Sequence, residues 1–147
     1  MDPQTYLVFL IPITVGIITQ LIKFALYTFK HGLDIGYVFT HGHMPSAHTS
    51  LVISLLVTVA HYEGVNSAAF ALSAVLSFIV IDDAARIRMY LGDQGRYLNM
   101  LIDQLKGEID ESKFPRLKER IGHRVSEIIV GGFLGFFLTL LFISLFS

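Results

Sequence analysis

Cysteine is absent from this 147-residue sequence, which excludes a disulfide framework and a thiolate metal site. Charge is scarce as well: Asp, Glu, Lys and Arg make up 16% of the residues against 53% hydrophobic, and mean hydropathy is +0.61. A soluble core of this size could not hide so much apolar surface, so the composition excludes an ordinary soluble domain and points to a single integral membrane domain over residues 1–147. The formal net charge of −1 says little about partners, because in a membrane protein the division of charge between the two faces is what matters. The first sixteen residues have no basic flank, and their apolar run is too long for a signal-peptide core. They read as a retained first span. Internal repeats and low-complexity tracts are also missing.

What is present are four stretches long enough to cross ~30 Å of hydrocarbon at roughly 17–25 residues per helix: Tyr6 to Phe29, Ser46 to Tyr62, Ala68 to Ala85 and Val125 to Phe146. The second and third are short and rich in Ser, Thr and Ala. The turn between them, His61 to Asn66, contains Gly64 and Asn66 and predicts an antiparallel helical pair. Lys30 to Met44 reads as a loop, and Gly92 to Gly122 as a longer polar stretch. Within the latter, Tyr97, Leu98, Leu101, Ile102 and Leu105 recur at helical spacing, which predicts a surface helix ending near Lys106 and Gly107. It would lie in the lipid interface or cover the bundle as a lid. Phe114-Pro115 separates it from a basic segment, Arg116 to Arg124. The expected fold is therefore all-α, an integral membrane helical bundle with four main transmembrane spans plus one or two interfacial helices.

The eleven basic residues divide sharply. Lys23, Lys30, Arg86, Arg88, Arg96, Lys106, Lys113, Arg116, Lys118, Arg120 and Arg124 all lie in, or at the membrane boundary of, the first and third loops, whereas the N-terminus, the 61–66 turn and the C-terminus have none. The positive-inside rule then puts both termini outside and these loops in the cytoplasm.

Three short motifs fall on that same side. In Met44-Pro-Ser-Ala-His-Thr-Ser50, Pro45 suits a first helical turn, and the free amides that follow would form an anion site with the positive helix end. Ser46 could add a hydroxyl donor, and His48 an imidazole able to protonate a leaving oxygen. The plainer reading is a capped helix with an interfacial histidine. The third span closes on Asp82, Asp83, Arg86 and Arg88. Carboxylates there are expensive unless they face the bundle interior or pair with the arginines, and the i, i+3 spacing of Asp83 and Arg86 permits a local ion pair. A structural salt bridge and a catalytic role both fit. Finally, His123 and Glu127 share a helix face at i, i+4, so the carboxylate could orient the imidazole and stabilise its cation, the way a neutral histidine becomes a usable nucleophile. Gly131 and Gly135 follow at a spacing that permits close helix packing in lipid.

Together these residues resemble the phosphatidic acid phosphatase type 2 superfamily, the membrane lipid phosphatases related to vanadium haloperoxidases, and more closely its divergent branch. The superfamily's first motif, Lys-x6-Arg-Pro, corresponds to Lys23 with Lys30-His31; its second, Pro-Ser-Gly-His, to Pro45-Ser46-Ala47-His48. Its third, Ser-Arg-x5-His-x3-Asp, is split. Arg88-Met-Tyr-Leu-Gly92 resembles the opening half and Gly122-His123 with Glu127 and Gly131 the closing half, about thirty residues apart, with Ile87 in place of Ser and Glu127 in place of Asp. The resemblance implies that His123 is the nucleophile taking the phosphoryl group, held by Glu127, and that His48 protonates the departing lipid oxygen. Lys23, Lys30, Ser46 and Arg88 would bind the phosphate, supported by Asp83 and Arg86. It implies a lipid phosphomonoester or pyrophosphate as substrate and no metal or other cofactor; the expected location is the bacterial inner membrane, with the site facing the cytoplasm by the charge distribution.

A rival reading keeps the same cations in a non-catalytic module that binds or moves anionic lipids. A metal role for His41, His43, His48, Asp82 and Asp83 would need a ligand signature that their spacing does not match. Nucleic acid is not expected as a partner, because the basic residues line a membrane face without interleaved aromatics. Small residues on the spans could pack helices within one subunit or make a homo-oligomer.

Overall fold

The computed structural model describes residues 3–33, 44–105, 107, 113–119 and 124–146, with the side chains of residues 3–5, 30 and 31 outside the description. The described residues form helix α1 (Pro3–His31), α2 (Ala47–Tyr62), α3 (Ala68–Asp82), a π-helical turn (Asp83–Ile87), α4 (Arg88–Gln104) and α5 (Val125–Phe146). No strand occurs among them. The protein is an all-helical membrane bundle. Tyr6–Phe29, Ala68–Gln104 and Val125–Phe146 are long and apolar enough to span, and Ala47–Tyr62 is a shorter apolar helix.

Local chemistry sets the helix starts. Ser46 caps α2, its Oγ accepting the Thr49 N–H at 3.4 Å, and Ser67 caps α3 by accepting the Phe70 N–H at 3.1 Å. Between them Gly64 takes φ 83°, a left-handed conformation that glycine adopts without steric cost. The Ser67 hydroxyl donates to the Gly64 carbonyl at 2.8 Å, closing the tight turn that the 61–66 sequence predicted. Pro45 precedes the cap rather than occupying the first turn, which corrects the sequence reading: the cap's side-chain bond fixes the helix start at Ala47.

Helix α2 is central, packed against α1, α3 and α5. Its contacts follow one four-residue stripe per neighbour. Ile11, Val15, Thr19 and Lys23 of α1 are all buried, as are Gly131, Gly135, Thr139 and Ile143 of α5. At one end Ile11, Val15 and Ile143 form an apolar cluster with Leu7, Val57, Tyr62, Leu138 and Phe142 against them. Hydroxyls take over further along. Thr19 Oγ1 lies 2.8 Å from Ser50 Oγ, Thr139 Oγ1 lies 2.6 Å from Ser54 Oγ, and Ser77 donates to the Val52 carbonyl at 3.0 Å. Helix α2 thereby exchanges a hydrogen bond with each neighbour, a way to join helices where lipid tails offer no hydrophobic driving force.

The α2–α5 seam is closest. A Cβ on Gly131 would run into the Ser46 carbonyl oxygen and stand 3.0 Å from its amide nitrogen; one on Gly135 would run into the Ser50 carbonyl oxygen and stand 2.8 Å from its Cα. The glycine pair is thus a backbone-to-backbone contact inside the subunit.

The third span departs from expectation. It does not end at Ala85, and the surface helix is not separate: α3, the π turn and α4 form one 37-residue helical segment from Ala68 to Gln104. The buried residues of α4 are Gly92, Gly95 and Asn99, and the returning chain lies against that face. Asn99 accepts the Leu117 N–H (3.0 Å) and donates to the Leu117 carbonyl (3.0 Å) and to Glu119 (2.9 Å), while a Cβ on Gly95 would come within 2.8 Å of the Lys118 carbonyl. Arg116 pairs with Asp103.

Candidate functional site

The polar end of the bundle is where α1 finishes and α2 and α5 begin. Lys23 lies one helical turn beyond Thr19 on the buried face of α1 and is only 4% exposed. Its methylene stem suits the apolar packing there, but a buried ammonium needs a counter-charge or hydrogen-bonding groups. Glu127, in the first turn of α5, lies at the same end of the bundle.

Glu127 also organises its own helix start. Its N–H donates to the Arg124 carbonyl at 2.9 Å, and its side chain accepts the Arg124 N–H at 3.3 Å, the reach-back expected of a glutamate at the third helical position. Its carbonyl oxygen accepts the Ser46 N–H at 3.1 Å. The start of α2 is therefore bonded to the first turn of α5 four residues ahead of Gly131, where the backbones touch. Ser46 and Glu127, far apart in sequence, are brought together, and Lys23 is buried at the same end.

Ser46 itself is fully buried. Its oxygen accepts from the Thr49 N–H and from the Thr49 hydroxyl at 3.0 Å, so toward a ligand it retains its own O–H. The expected row of free amides after Pro45 is shortened for the same reason: those of Ser46 and Thr49 are engaged within the fold. His48 is exposed and stands at the second position of α2.

The carboxylates after α3 pair differently from the i, i+3 expectation. Asp82 pairs with Arg86 at i, i+4, and Asp83 accepts from Arg88 Nε at 2.7 Å, five residues on. A π turn closes i to i+5 rather than i to i+4, which brings Arg88 over Asp83 and leaves Arg86 to Asp82. The Arg86 side chain is 64% exposed, so its pair is a solvated one of small energetic weight. The side chains of Arg88 and Asp83 are about one-third exposed, 28% and 34%, and the turn that carries them packs against α5.

Of the other expected site residues, Lys30 occupies the last turn of α1 with its side chain outside the description, and His123 lies outside the described residues, as do His41 and His43. Among the described residues no group of three His, Cys, Asp or Glu could hold a metal ion. The sequence reading passed over Asn99, although Gly92, Gly95 and Asn99 at helical spacing mark a small-residue face on an otherwise polar helix.

A core of four packed apolar helices, three of them long enough to span, defines an integral membrane helical bundle. Residues 5–138 match the Divergent PAP2 family, and the chain belongs to that family. It is 34% identical over 135 residues to the uncharacterized membrane protein YuiD of Bacillus subtilis (strain 168), an alignment covering 84% of this chain and 85% of the relative. No solved structure matches.

Proposed function

We propose that the protein is a membrane lipid phosphatase that hydrolyses a phosphomonoester or pyrophosphate on a lipid through a phosphohistidine. The family is phosphatase-related, and the observation that carries the finer reading is that three helices place a buried Lys23, a buried Ser46 and Glu127, whose carbonyl accepts the Ser46 N–H, at one end of the bundle. In this scheme the His123 imidazole attacks phosphorus, a P–N bond forms as the P–O bond to the lipid breaks, and His48 gives its proton to the departing oxygen. Water then attacks the phosphohistidine, losing its proton to His48, and inorganic phosphate leaves. Glu127 stabilises the His123 cation. Lys23, Lys30 and Arg88 stabilise the charge on the equatorial oxygens, the largest electrostatic demand of phosphoryl transfer. The scheme calls on no metal. The distribution of Lys and Arg supports a site facing the cytoplasm.

Phosphate release by the detergent-purified protein from phosphatidate, phosphatidylglycerophosphate and a polyprenyl diphosphate, with and without EDTA, tests this. EDTA-resistant release that is abolished in His123→Ala and reduced about 10²–10⁴-fold in His48→Ala, the usual weight of a general acid, is the expected result. Full activity in His123→Ala overturns the nucleophile assignment.

One observation favours a second reading, a non-catalytic module binding anionic lipids: the Ser46 amide and much of its hydroxyl capacity are spent on the fold, and Arg88 is held by Asp83. That module would keep lipid phosphate binding in both histidine variants and lose it without Lys23 and Arg88.

A further inference from the structure

Asparagine is a poor helix former, because its amide competes with the backbone for hydrogen bonds, yet Asn99 stands in the middle of α4 and is only 2% exposed. Its partners account for the residue type. A side-chain amide offers donor hydrogens and an acceptor oxygen at once, and Asn99 spends both on the returning chain. Oδ1 takes the Leu117 N–H, while Nδ2 donates to the Leu117 carbonyl and to Glu119 Oε1. The amide thus pairs with Leu117 as a neighbouring strand would, and adds a charge-assisted bond to a carboxylate. A hydroxyl or an apolar side chain could not make all three bonds. One turn earlier, Gly95 lets the Lys118 carbonyl approach so near that a Cβ would stand 2.8 Å from it. Gly95 supplies the room and Asn99 the bonds of a clamp that takes residues 117–119.

The place of this clamp in the chain gives it a use. Residues 117–119 lie between the two parts of the split third motif, Arg88 at the start of α4 and Glu127 in the first turn of α5. Clamped, the chain toward α5 departs from a fixed point at Glu119. It arrives at another, Arg124, whose carbonyl accepts the Glu127 and Ile128 N–H groups at 2.9 and 3.2 Å. The five residues from one point to the other can span at most about 18 Å, and His123 belongs to that stretch. The second link between α4 and the returning chain, Arg116 to Asp103, has side chains 63% and 43% exposed and so small weight.

We propose that Asn99 is a positioning residue for phosphoryl transfer: by holding residues 117–119 on α4 it restricts the directions that His123 can take beside Glu127. Asn99 touches no reacting atom in this scheme. The inference rests on the proposed function, since without a phosphohistidine the clamp has a structural role alone.

The test measures phosphate release from phosphatidate by the full-length protein in nanodiscs, together with amide hydrogen exchange followed by mass spectrometry. In Asn99→Ala, kcat should fall about 10–10²-fold, the cost of a small misplacement of a reacting group. KM should change less than about twofold, because the loss belongs to the transition state and not to lipid binding. Exchange should quicken in the 113–119 peptide and stay unchanged in α2 and α5. Asn99→Asp keeps the acceptor for the Leu117 N–H, loses both donated bonds and sets a carboxylate against Glu119, so its kcat should fall as well. Adding Glu119→Gln returns a donor to that pair and should recover most of the loss, which a general defect in folding would not allow. Unchanged kcat in Asn99→Ala, a double variant no better than Asn99→Asp, or quickened exchange throughout α2 and α5 overturns the positioning role and leaves the phosphatase reading standing. Absence of release by the wild type from phosphatidate, phosphatidylglycerophosphate and a polyprenyl diphosphate overturns the phosphatase reading, and the positioning role falls with it.

Discussion

At one end of the bundle Ile11, Val15 and Ile143 close against Leu7, Val57, Leu138 and Phe142; at the other, the same helices present Lys23 and Glu127 to the start of α2 at Ser46. The spacing is shared and the chemistry is opposite. Apolar residues within a bilayer gain mainly from close packing, because lipid is as apolar as they are, so many sequences would serve at the first end. A buried Lys costs stability in a bilayer unless it is paired or hydrogen-bonded, so few sequences would serve at the second.

The sharpest way to break this contrast is Lys23→Met, which keeps the bulk and removes the charge. Phosphate release should fall about 10²–10³-fold, as for loss of one preorganised charge-stabilising group, while the circular dichroism of the purified protein stays helical. Unchanged release would make Lys23 a structural cation only.

Next in size is the α2–α5 seam between the two ends. Gly131→Ala should destabilise the protein by about 1–3 kcal/mol, the cost of overpacking, because the Ser46 backbone it would strike is itself bonded to Glu127. Gly132→Ala, whose Cβ would lie 3.8 Å from Thr49 Cγ2 at ordinary van der Waals contact, should lie near zero in the same detergent unfolding assay. Equal effects would show that the seam is looser than its geometry. At the apolar end, Ile143→Val should cost about 0.5–1.5 kcal/mol and leave phosphate release untouched.

Much of this architecture is legible in the sequence, and the exceptions have physical causes. The apolar stretches, the Ser46 start and the Gly64 turn follow from hydropathy and capping chemistry. Glycine at 131 and 135 announced close packing, though the partner surface, the backbone of Ser46 and Ser50, needed the fold. Gly92 opens a polar stretch in the sequence, but Gly92, Gly95 and Asn99 form a buried face of α4 along which residues 117–119 return, a tertiary contact no local propensity contains. An anion site at Pro45 and Ser46 needs free amides, and those of Ser46 and Thr49 are bonded within the fold. His123, the nucleophile that the motif resemblance implies, lies outside the described residues.

The finest difference concerns the π turn, where the ordinary helical repeat misassigned the ion pairs. Asp83 binds Arg88 through Nε, which leaves the terminal nitrogens of the guanidinium able to fork onto phosphate oxygens. If Asp83 orients Arg88 in this way, Asp83→Asn should raise KM for the lipid phosphate by no more than about fivefold, since a partly exposed pair contributes about 0–1 kcal/mol. Arg88→Lys, which loses the planar fork but keeps the charge, should raise it further. The sign of the Asp83→Asn effect separates two physical roles. A lowered KM would mean that Asp83 competes with the substrate for Arg88, so that the pair is a latch opened by phosphate; added salt, which screens such exposed charges, would then narrow the gap between wild type and variant.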